Sequence, residues 1–525
     1  MSKARQMSDL LSMSDRNVFT ELAELTSPDY SAGNTADITA TGTLPNGAPV
    51  ILKTDGTVEA VANALVTLPE SIPAGSAATF VSGEARYIAA AFDPNNANQF
   101  VVTFVDHSNS DKPSACVGTV SGTSITFGEK VLVLSGSSPW NTASYSTDLA
   151  FDPDTPGQFV VCLREYGYDG CVVIGTVSGT SITFGAKTTF TTSQPAQLKI
   201  AFNPNTAGQF VIAYKDGGNS SYGTAVVGTV SGTSITFGSE VVFQSSSIKN
   251  LDITFDPNTA GQFVVVYMDY GNSNYGTAVV GTVSGTSITF GSGVVFNSSS
   301  TEHGAADFDP NTANQFVVCY KATGPTRFVA KVGTVSGTAI SFGAETTMSV
   351  ATDIEFPSVA FNPNTAGQFV VAYRGDNGGL SCLATVGTVT GTSISAGSEY
   401  VVNPLRPERN AVAFDPNTAG KFVICHDSYA DGINNSRGVV GQLEASVMGS
   451  NATADNLIGT SAAAYADGET ATVTLQGGVS SNQTGLTAGA TYYVNMDGTL
   501  SATSAENSIE IGKAITSTHL LLKGL

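Results

Sequence analysis

Charge is scarce in this chain, and basic charge scarcest. Only 12% of its 525 residues are charged, with 22 Lys and Arg against 43 Asp and Glu, a net charge of −21. Nucleic acid is held by basic surfaces that displace counterions from phosphates, so no nucleic-acid partner is expected. The same sign argues against anionic membrane surfaces. No apolar run approaches the roughly 20 residues of a membrane-spanning helix. Residues 1–30 lack the apolar core of a signal peptide, so neither membrane insertion nor secretion by the standard route is expected. Histidine and cysteine are few, 4 and 6, with no CxxC and no His–Cys cluster, which argues against a structural zinc site. No DxDxDG calcium loop, GxSxG, HExxH or P-loop is present. No metal, cofactor or catalytic residue is therefore assigned.

The cysteines carry little chemistry of their own. Cys162, Cys319 and Cys425 each lie three residues after a Gln/Lys-Phe phenylalanine, and are expected to be small buried hydrophobes standing in for Val. Cys162 and Cys171 flank the loop 163–170, which leaves a disulfide across that hairpin open.

What the chain has in abundance is Gly, Ser, Thr, Val and Ala, a β-rich composition. It also has seven copies of one phrase: Phe-Asp/Asn-Pro-Asn/Asp, a short turn, then Gln/Lys-Phe-Val. The phenylalanines that open the copies are Phe92, Phe151, Phe202, Phe255, Phe308, Phe361 and Phe414, spaced by 59, 51, 53, 53, 53 and 53 residues. A period near 50 residues marks a radial or stacked repeat. Residues 251–296 show what one repeat contains. Strand a runs over 251–255 and is stopped by Pro257; Asn258 to Gly261 turns the chain into strand b, Phe263–Met268. A Gly/Asn/Tyr loop leads to strand c around 277–283, and Ser284-Gly285-Thr286 turns into strand d. Four antiparallel strands per repeat predict an all-β fold, a seven-bladed β-propeller over residues 71–445.

The two ends of the repeat block predict how the ring closes. The seventh repeat has strands a, b and c but no Ser-Ile-Thr-Phe-Gly strand after them. Residues 72–94 align with residues 235–257, Gly75 on Gly238 and Phe80 on Phe243, so residues 72–81 are expected to supply the missing outer strand. Interlocked ends leave no open sheet edge.

Outside the repeats lie two flanks. Residues 1–70 are read as an attachment segment with a helix over 8–26, a polar linker and a β-hairpin over 48–61. Residues 446–525, with Asp467-Gly468, Gly477-Gly478 and Asp497-Gly498 turns between short alternating strands, are read as a small C-terminal β domain. This last segment contains Gly-Leu-Thr-Ala-Gly-Ala-Thr-Tyr-Tyr-Val (485–494), Asp497-Gly498-Thr499 and Ile511-Gly512-Lys513-Ala514. In these motifs it resembles a module of tailed-bacteriophage virion proteins, tail fibres and other surface proteins of marine phages. The opening Met-Ser-Lys-Ala-Arg and residues 44–58 resemble other segments of the same group. The resemblance covers about 100 residues and transfers no catalytic residue. It implies a virion-surface location, attachment to other virion proteins through residues 1–65, and a part in finding the host; a homo-oligomer is compatible with it.

Candidate binding residues come from the loops. In a propeller the b–c and d–a loops share one face, and here the b–c loops vary while the a–b and c–d turns are nearly uniform. A rigid scaffold with diverse loops is a usual way to build a binding face. Its aromatics are Trp140, Tyr145, Tyr166, Tyr168, Tyr222, Tyr270, Tyr275 and Tyr429, with the single Trp in the extra length of the first repeat, 135–147. Aromatic rings stack on the C–H faces of sugars while Asp, Asn and Arg bond hydroxyls, so host surface polysaccharide is the expected ligand. The simpler reading makes Trp140 a lid on its own blade and the Tyr-Gly-Asn segments loop spacers. Asp148, Asp252 and Asp307, with His303 and Glu355, form a candidate acid–base set of the kind glycosidases use, or else solvated channel charges. Sialidase-type Ser-x-Asp-x-Gly-x-x-Trp turns are missing. The expectation is a non-enzymatic, tail fibre-like virion protein that binds host glycan. The alternatives are a capsid decoration protein, a glycan depolymerase, and a lectin-like propeller unrelated to phage.

Overall fold

The computed structural model describes residues 34–68, 70–134, 147–165, 169–323, 326–376, 378–407, 409–430, 433–505 and 508–523. The helix expected over 8–26 lies outside them. Among the described residues there is no α-helix, only two 3-10 turns, and no helix long and apolar enough to cross a membrane. The contacts divide into two compact units, residues 69–445 and residues 1–68 with 446–525.

In the first unit the described residues form seven four-stranded antiparallel blades. Within each blade the repeat Phe pairs in register with the Phe of strand b, as in Phe255↔Phe263 and Phe414↔Phe422. The strand b rings are fully buried, Phe263 among them, and Phe263 lies 5.2 Å from Phe255 and edge-on to Phe290 at 5.7 Å. Room for the ring comes from the Gly of Val-Gly-Thr-Val on strand c. A Cβ on Gly281 would lie 2.1 Å from Phe263 Cζ. Outer strands differ from the sequence reading in being split. Ser287–Phe290 pairs with the end of strand c, and the chain then jogs before Val294–Phe308 pairs with its start. That second piece, 15 residues long, continues as the inner strand of the next blade.

The repeated phrase stops strand a and turns the chain, as its Pro and Gly require. Its polar residues also clamp blade to blade. Asp256 accepts from Asn258 N at 2.9 Å with one oxygen and from Asn314 N of the next blade at 2.9 Å with the other. Asn258 Nδ2 donates to Pro310 O at 3.1 Å and Gln262 Nε2 to Gly337 O at 3.2 Å, both across the same seam. Last blade meets first by the same bonds: Asp415 Oδ2 accepts from Asn98 N at 2.9 Å, and Asn417 Nδ2 donates to Pro94 O at 3.1 Å. The ring is closed.

Closure of the last blade uses the upstream strand. Ala78–Val81 pairs with strand c of the seventh repeat, Val81 opposite Ser436 and Ala78 opposite Gly438. Gly75 and Gly238 are equivalent in space: a Cβ on either would fall 2.0 Å from a carbonyl oxygen of the neighbouring blade, Thr123 or Thr286. Phe80 packs on Phe104 and Phe127 as Phe243 packs on Tyr267 and Phe290.

All six cysteines are free and buried. Cys162 stands opposite Val172 and Leu163 opposite Cys171, so the two thiols fall on opposite faces of the blade, in different inter-blade cores. The disulfide left open above is not formed. Burial pushes the Cys116 and Cys171 thiols up to about 12, which leaves them inert.

The second unit joins the two flanks that the sequence reading kept apart. Its first sheet runs Thr35–Thr39, Thr470–Leu475, Leu457–Ser461, Pro49–Leu52, Val58–Ala60. The expected hairpin exists, Val50 opposite Ala60, but it is sandwiched into the C-terminal segment. Ile51 and Val61 share one core with Leu457, Tyr492, Val494, Ile511 and Leu520. A three-residue strand pair cannot bury its apolar face alone. Segments 34–68 and 446–523 are therefore one folding unit, a correction to the three-part division.

Candidate functional site

The inner strands carry a feature that the sequence reading missed. Five residues before the repeat Phe, five of the strands hold a non-glycine residue at positive φ: Tyr87 at 52°, Gln197 at 54°, Asn250 at 53°, His303 at 51° and Phe356 at 53°. At each the register with strand b skips, as between Arg86 and Ala89 or Glu302 and Ala305. These are β-bulges, which re-aim side chains. Left-handed backbone is unfavourable for such residues, and strain repeated round one rim points to a use for the rim. A cavity of about 550 Å³ opens there, lined by Tyr87, Asn250, His303, Phe356 and Arg409 at the rim and by Asp148, Lys199, Asp252 and Asp307 deeper in.

The rim is aromatic and cationic. Arg409 lies over Phe356 with its guanidinium carbon 3.8 Å from the ring centroid, and 5.3 Å from that of Tyr87. Arg374 stands 5.4 Å from the same Phe356, held by Glu355 at 2.5 Å and Asp353 at 3.5 Å. His303 meets Phe356 edge-on at 4.9 Å. Burial, and then the charges of Lys321 and Arg409, lower its pKa to about 4, so the imidazole is neutral at pH 7.

The channel carboxylates are bound up in the ring. Asp148 Oδ2 accepts from Ile200 N at 3.1 Å and Asp252 Oδ2 from Ala306 N at 3.0 Å, each the backbone of the next blade. Ser358 does the same for Val412 N at 3.1 Å. Lys199 sits between the two acids, 4.0 Å from Asp148 and 3.7 Å from Asp252. Asp307 accepts from the Thr254 hydroxyl at 3.1 Å and from Phe361 N at 2.9 Å. Burial raises its pKa to about 7 in spite of those bonds. Of the candidate acid–base set, the three Asp line the channel, His303 is in the rim and Glu355 is paired with Arg374. Each Asp has an oxygen committed to holding blades together.

Of the aromatics named from the sequence, Trp140, Tyr145, Tyr166 and Tyr168 lie outside the described residues. Tyr429 belongs to the strand Lys421–Ala430. Tyr222 and Tyr275 open strand c of the third and fourth blades, half-buried, and Tyr270 stands 47% exposed in a 3-10 turn, Tyr270–Asn272. None of these three lines the cavity. Their loops are held by aspartates at the end of strand b. Asp269 accepts from Gly271 N, Gln244 Nε2 and Ser246 Oγ, and Asp216 from Gly218 N and Asn219 N. The rim aromatics, Tyr87 and Phe356, were findable only by asking what recurs five places before each repeat Phe.

No protein-family model and no curated protein sequence matches this chain. Solved structures do match. The BP39L lectin from Burkholderia pseudomallei aligns over 70% of this chain and 99% of its own, at 12% identity and a TM-score of 0.51. The fold is a β-propeller. Sqt1 from Chaetomium thermophilum bound to the N-terminus of the ribosomal protein L10 aligns over 71% of this chain and 100% of its own, at 13% identity and a TM-score of 0.44. A candidate 6-phosphogluconolactonase from Bacteroides uniformis aligns over 60% and 85%, at 9% identity and a TM-score of 0.43. At such identities the likeness concerns the fold alone.

Proposed function

We propose that this propeller is a glycan-binding module and that the protein is a component of a bacteriophage virion surface, tail fibre-like, which engages host polysaccharide. The observation that carries the binding reading is the strained rim. Tyr87 and Phe356 offer apolar faces beside Arg409 and His303, over a cavity of about 550 Å³ on the variable-loop side. Stacking faces flanked by a few fixed polar groups are what sugar rings require. That a lectin is among the propellers with this architecture agrees with it. The virion placement rests on the flank motifs at 44–58, 485–494 and 511–514.

The module binds without cleaving. Glycoside hydrolysis needs one carboxyl to donate and another to attack or activate water, and here Asp148, Asp252 and Asp307 accept from backbone N–H groups across the blade seams. Glycan-array binding is expected for the full chain. Phe356→Ala and Tyr87→Ala are each expected to weaken it about tenfold, in line with roughly 1 kcal/mol or more per stacked ring. Binding undiminished in both variants would move the site elsewhere, and shortening of a bound polysaccharide by the wild type would restore the depolymerase. Gold-labelled antibody to the propeller should mark phage tails; label spread over heads would make it a capsid decoration protein, and no label would leave a lectin unconnected with phage.

A further inference from the structure

The rim also carries an arrangement of charge that stacking does not explain. In the fifth and sixth blades the residue six before the repeat Phe is acidic and stands opposite a basic residue of strand b. Glu302 faces Lys321 and pairs with it at 3.1 Å; Glu355 faces Arg374 and pairs at 2.5 Å. The third blade keeps the base and drops the acid, and in the fourth a lysine takes the acid's own place. Lys215 stands opposite Ala196, and Lys249 opposite Met268. Neither ammonium has a carboxylate within ion-pair distance among the described residues, in a chain with 43 acidic side chains.

The two lysines are neighbours. Their blades adjoin, and just below them Asn250 N donates to Gln197 Oε1 across the seam at 2.8 Å. Burial and the charge of Lys249 together lower the pKa of Lys215, and Lys249 also acts on His303. Lys321 and Arg409 act on His303 as well. Two like charges on adjoining strands, with no carboxylate paired to either among the described residues, are unfavourable until an anion lies between them. The net charge of −21 does not forbid this, because at physiological salt fields are screened beyond about 8 Å.

We propose that Lys215 and Lys249 form an anion subsite at the channel mouth, which selects glycans bearing a carboxylate or sulfate group next to the sugar ring stacked on the rim. This rests on the glycan-binding reading and narrows it to acidic polysaccharides. The polar Gln197 and Asn250 would complete the surroundings of the anionic group.

The test uses the full chain on surfaces of alginate, dextran sulfate, dextran and mannan, at graded salt. Expected is tighter binding to alginate or dextran sulfate than to the neutral pair, falling as salt rises. Lys215→Gln/Lys249→Gln should weaken that binding about tenfold, the scale of two exposed charge contacts. Its neutral-glycan binding should be unchanged, and Lys215→Arg/Lys249→Arg should retain the preference. A double variant that changes charge equally but in the other folding unit, Lys53→Gln/Lys523→Gln, should leave it intact. Whether alginate or dextran sulfate is preferred distinguishes carboxylate from sulfate. Equal loss in both Gln double variants, or no loss in either, overturns the subsite. So does wild-type binding to neutral glycans alone, which leaves the glycan-binding reading standing; failure to bind any glycan overturns both.

Discussion

Gly281 and its equivalents show how narrowly single residues hold this fold. A methyl group there would meet Phe263 at 2.1 Å, and the ring has no free side to retreat to, since Phe255 and Phe290 already flank it. Gly281→Ala is therefore expected to destabilise the propeller by about 1–3 kcal/mol, the usual cost of overpacking. Urea unfolding would measure it, and adding Phe263→Leu should recover part of the loss. Titration gives a second expectation at this scale. Asp307 ionises at about 7 in the fold against 3.8 for an ordinary Asp. Between those values the folded state binds more protons than the unfolded, so its contribution to stability falls as pH rises and levels off above 7. Asp307→Asn keeps an oxygen to accept from Phe361 N and loses that slope. Relative to wild type, the variant is expected to be more stable at pH 8 than at pH 4.5. The imidazoles of His303 and His426, both lowered to about 4, act in the opposite sense. Their stability is present above 6.5 and is lost as pH falls through 4, and it is common to both proteins in the comparison.

At the scale of elements, the seams between blades matter more than the blades. Each seam is crossed by side chains of the repeated phrase, and the seam between last and first blade is also closed by the strand Ala78–Val81. In the third and sixth repeats Asn stands in place of the Asp. Asn203 and Asn362 turn their amides to Gln209 and Gln368, each at 2.7 Å. The swap is therefore tolerated inside a continuous chain. The last blade alone is assembled from two separate stretches of chain, Ala78–Val81 and the strands from Asn410 onward, so Asp415→Ala should cost about 1–3 kcal/mol, the price of a partly buried N–H left unpaired. Hydrogen exchange should then rise in residues 78–81 and 433–442 before it rises in the third and fourth blades. Uniform exchange round the ring would argue against the closing seam as its weak point.

For the whole molecule, two units predict two unfolding events. Residues 69–445 are expected to fold alone and unfold in one transition, because the ring closes with nothing from outside it. Residues 446–525 alone are not. Without Thr35–Thr39, Pro49–Leu52 and Val58–Ala60 their first sheet loses three of its five strands. Circular dichroism and calorimetry of the two fragments would decide, and a cooperatively folded 446–525 would restore the independent C-terminal domain. The virion reading is affected as well, since attachment and C-terminal functions would then belong to one unit.

Periodicity made the architecture legible. The 53-residue spacing, the Pro-stopped turns and the missing last strand required a ring closed by residues near 72–81, because local turn chemistry and strand pairing repeat wherever the phrase repeats. The candidate site was legible only as a face. Variable loops marked the side, but the rim residues Tyr87, His303, Phe356 and Arg409 are unlike one another, and what the first three share is a backbone bulge that composition does not encode. Pairing of the flanks was hidden for a related reason: strands about 400 residues apart find each other through buried area, which no local pattern records. The sequence by itself determined the repeat, the blade and the need for closure, since these follow from short-range sterics and hydrogen bonding. Only the tertiary structure decided which aromatics and cations meet at the mouth, that the channel acids serve the seams, and that Lys215 and Lys249 stand on adjoining strands without a counter-charge among the described residues. Those are facts of proximity between blades.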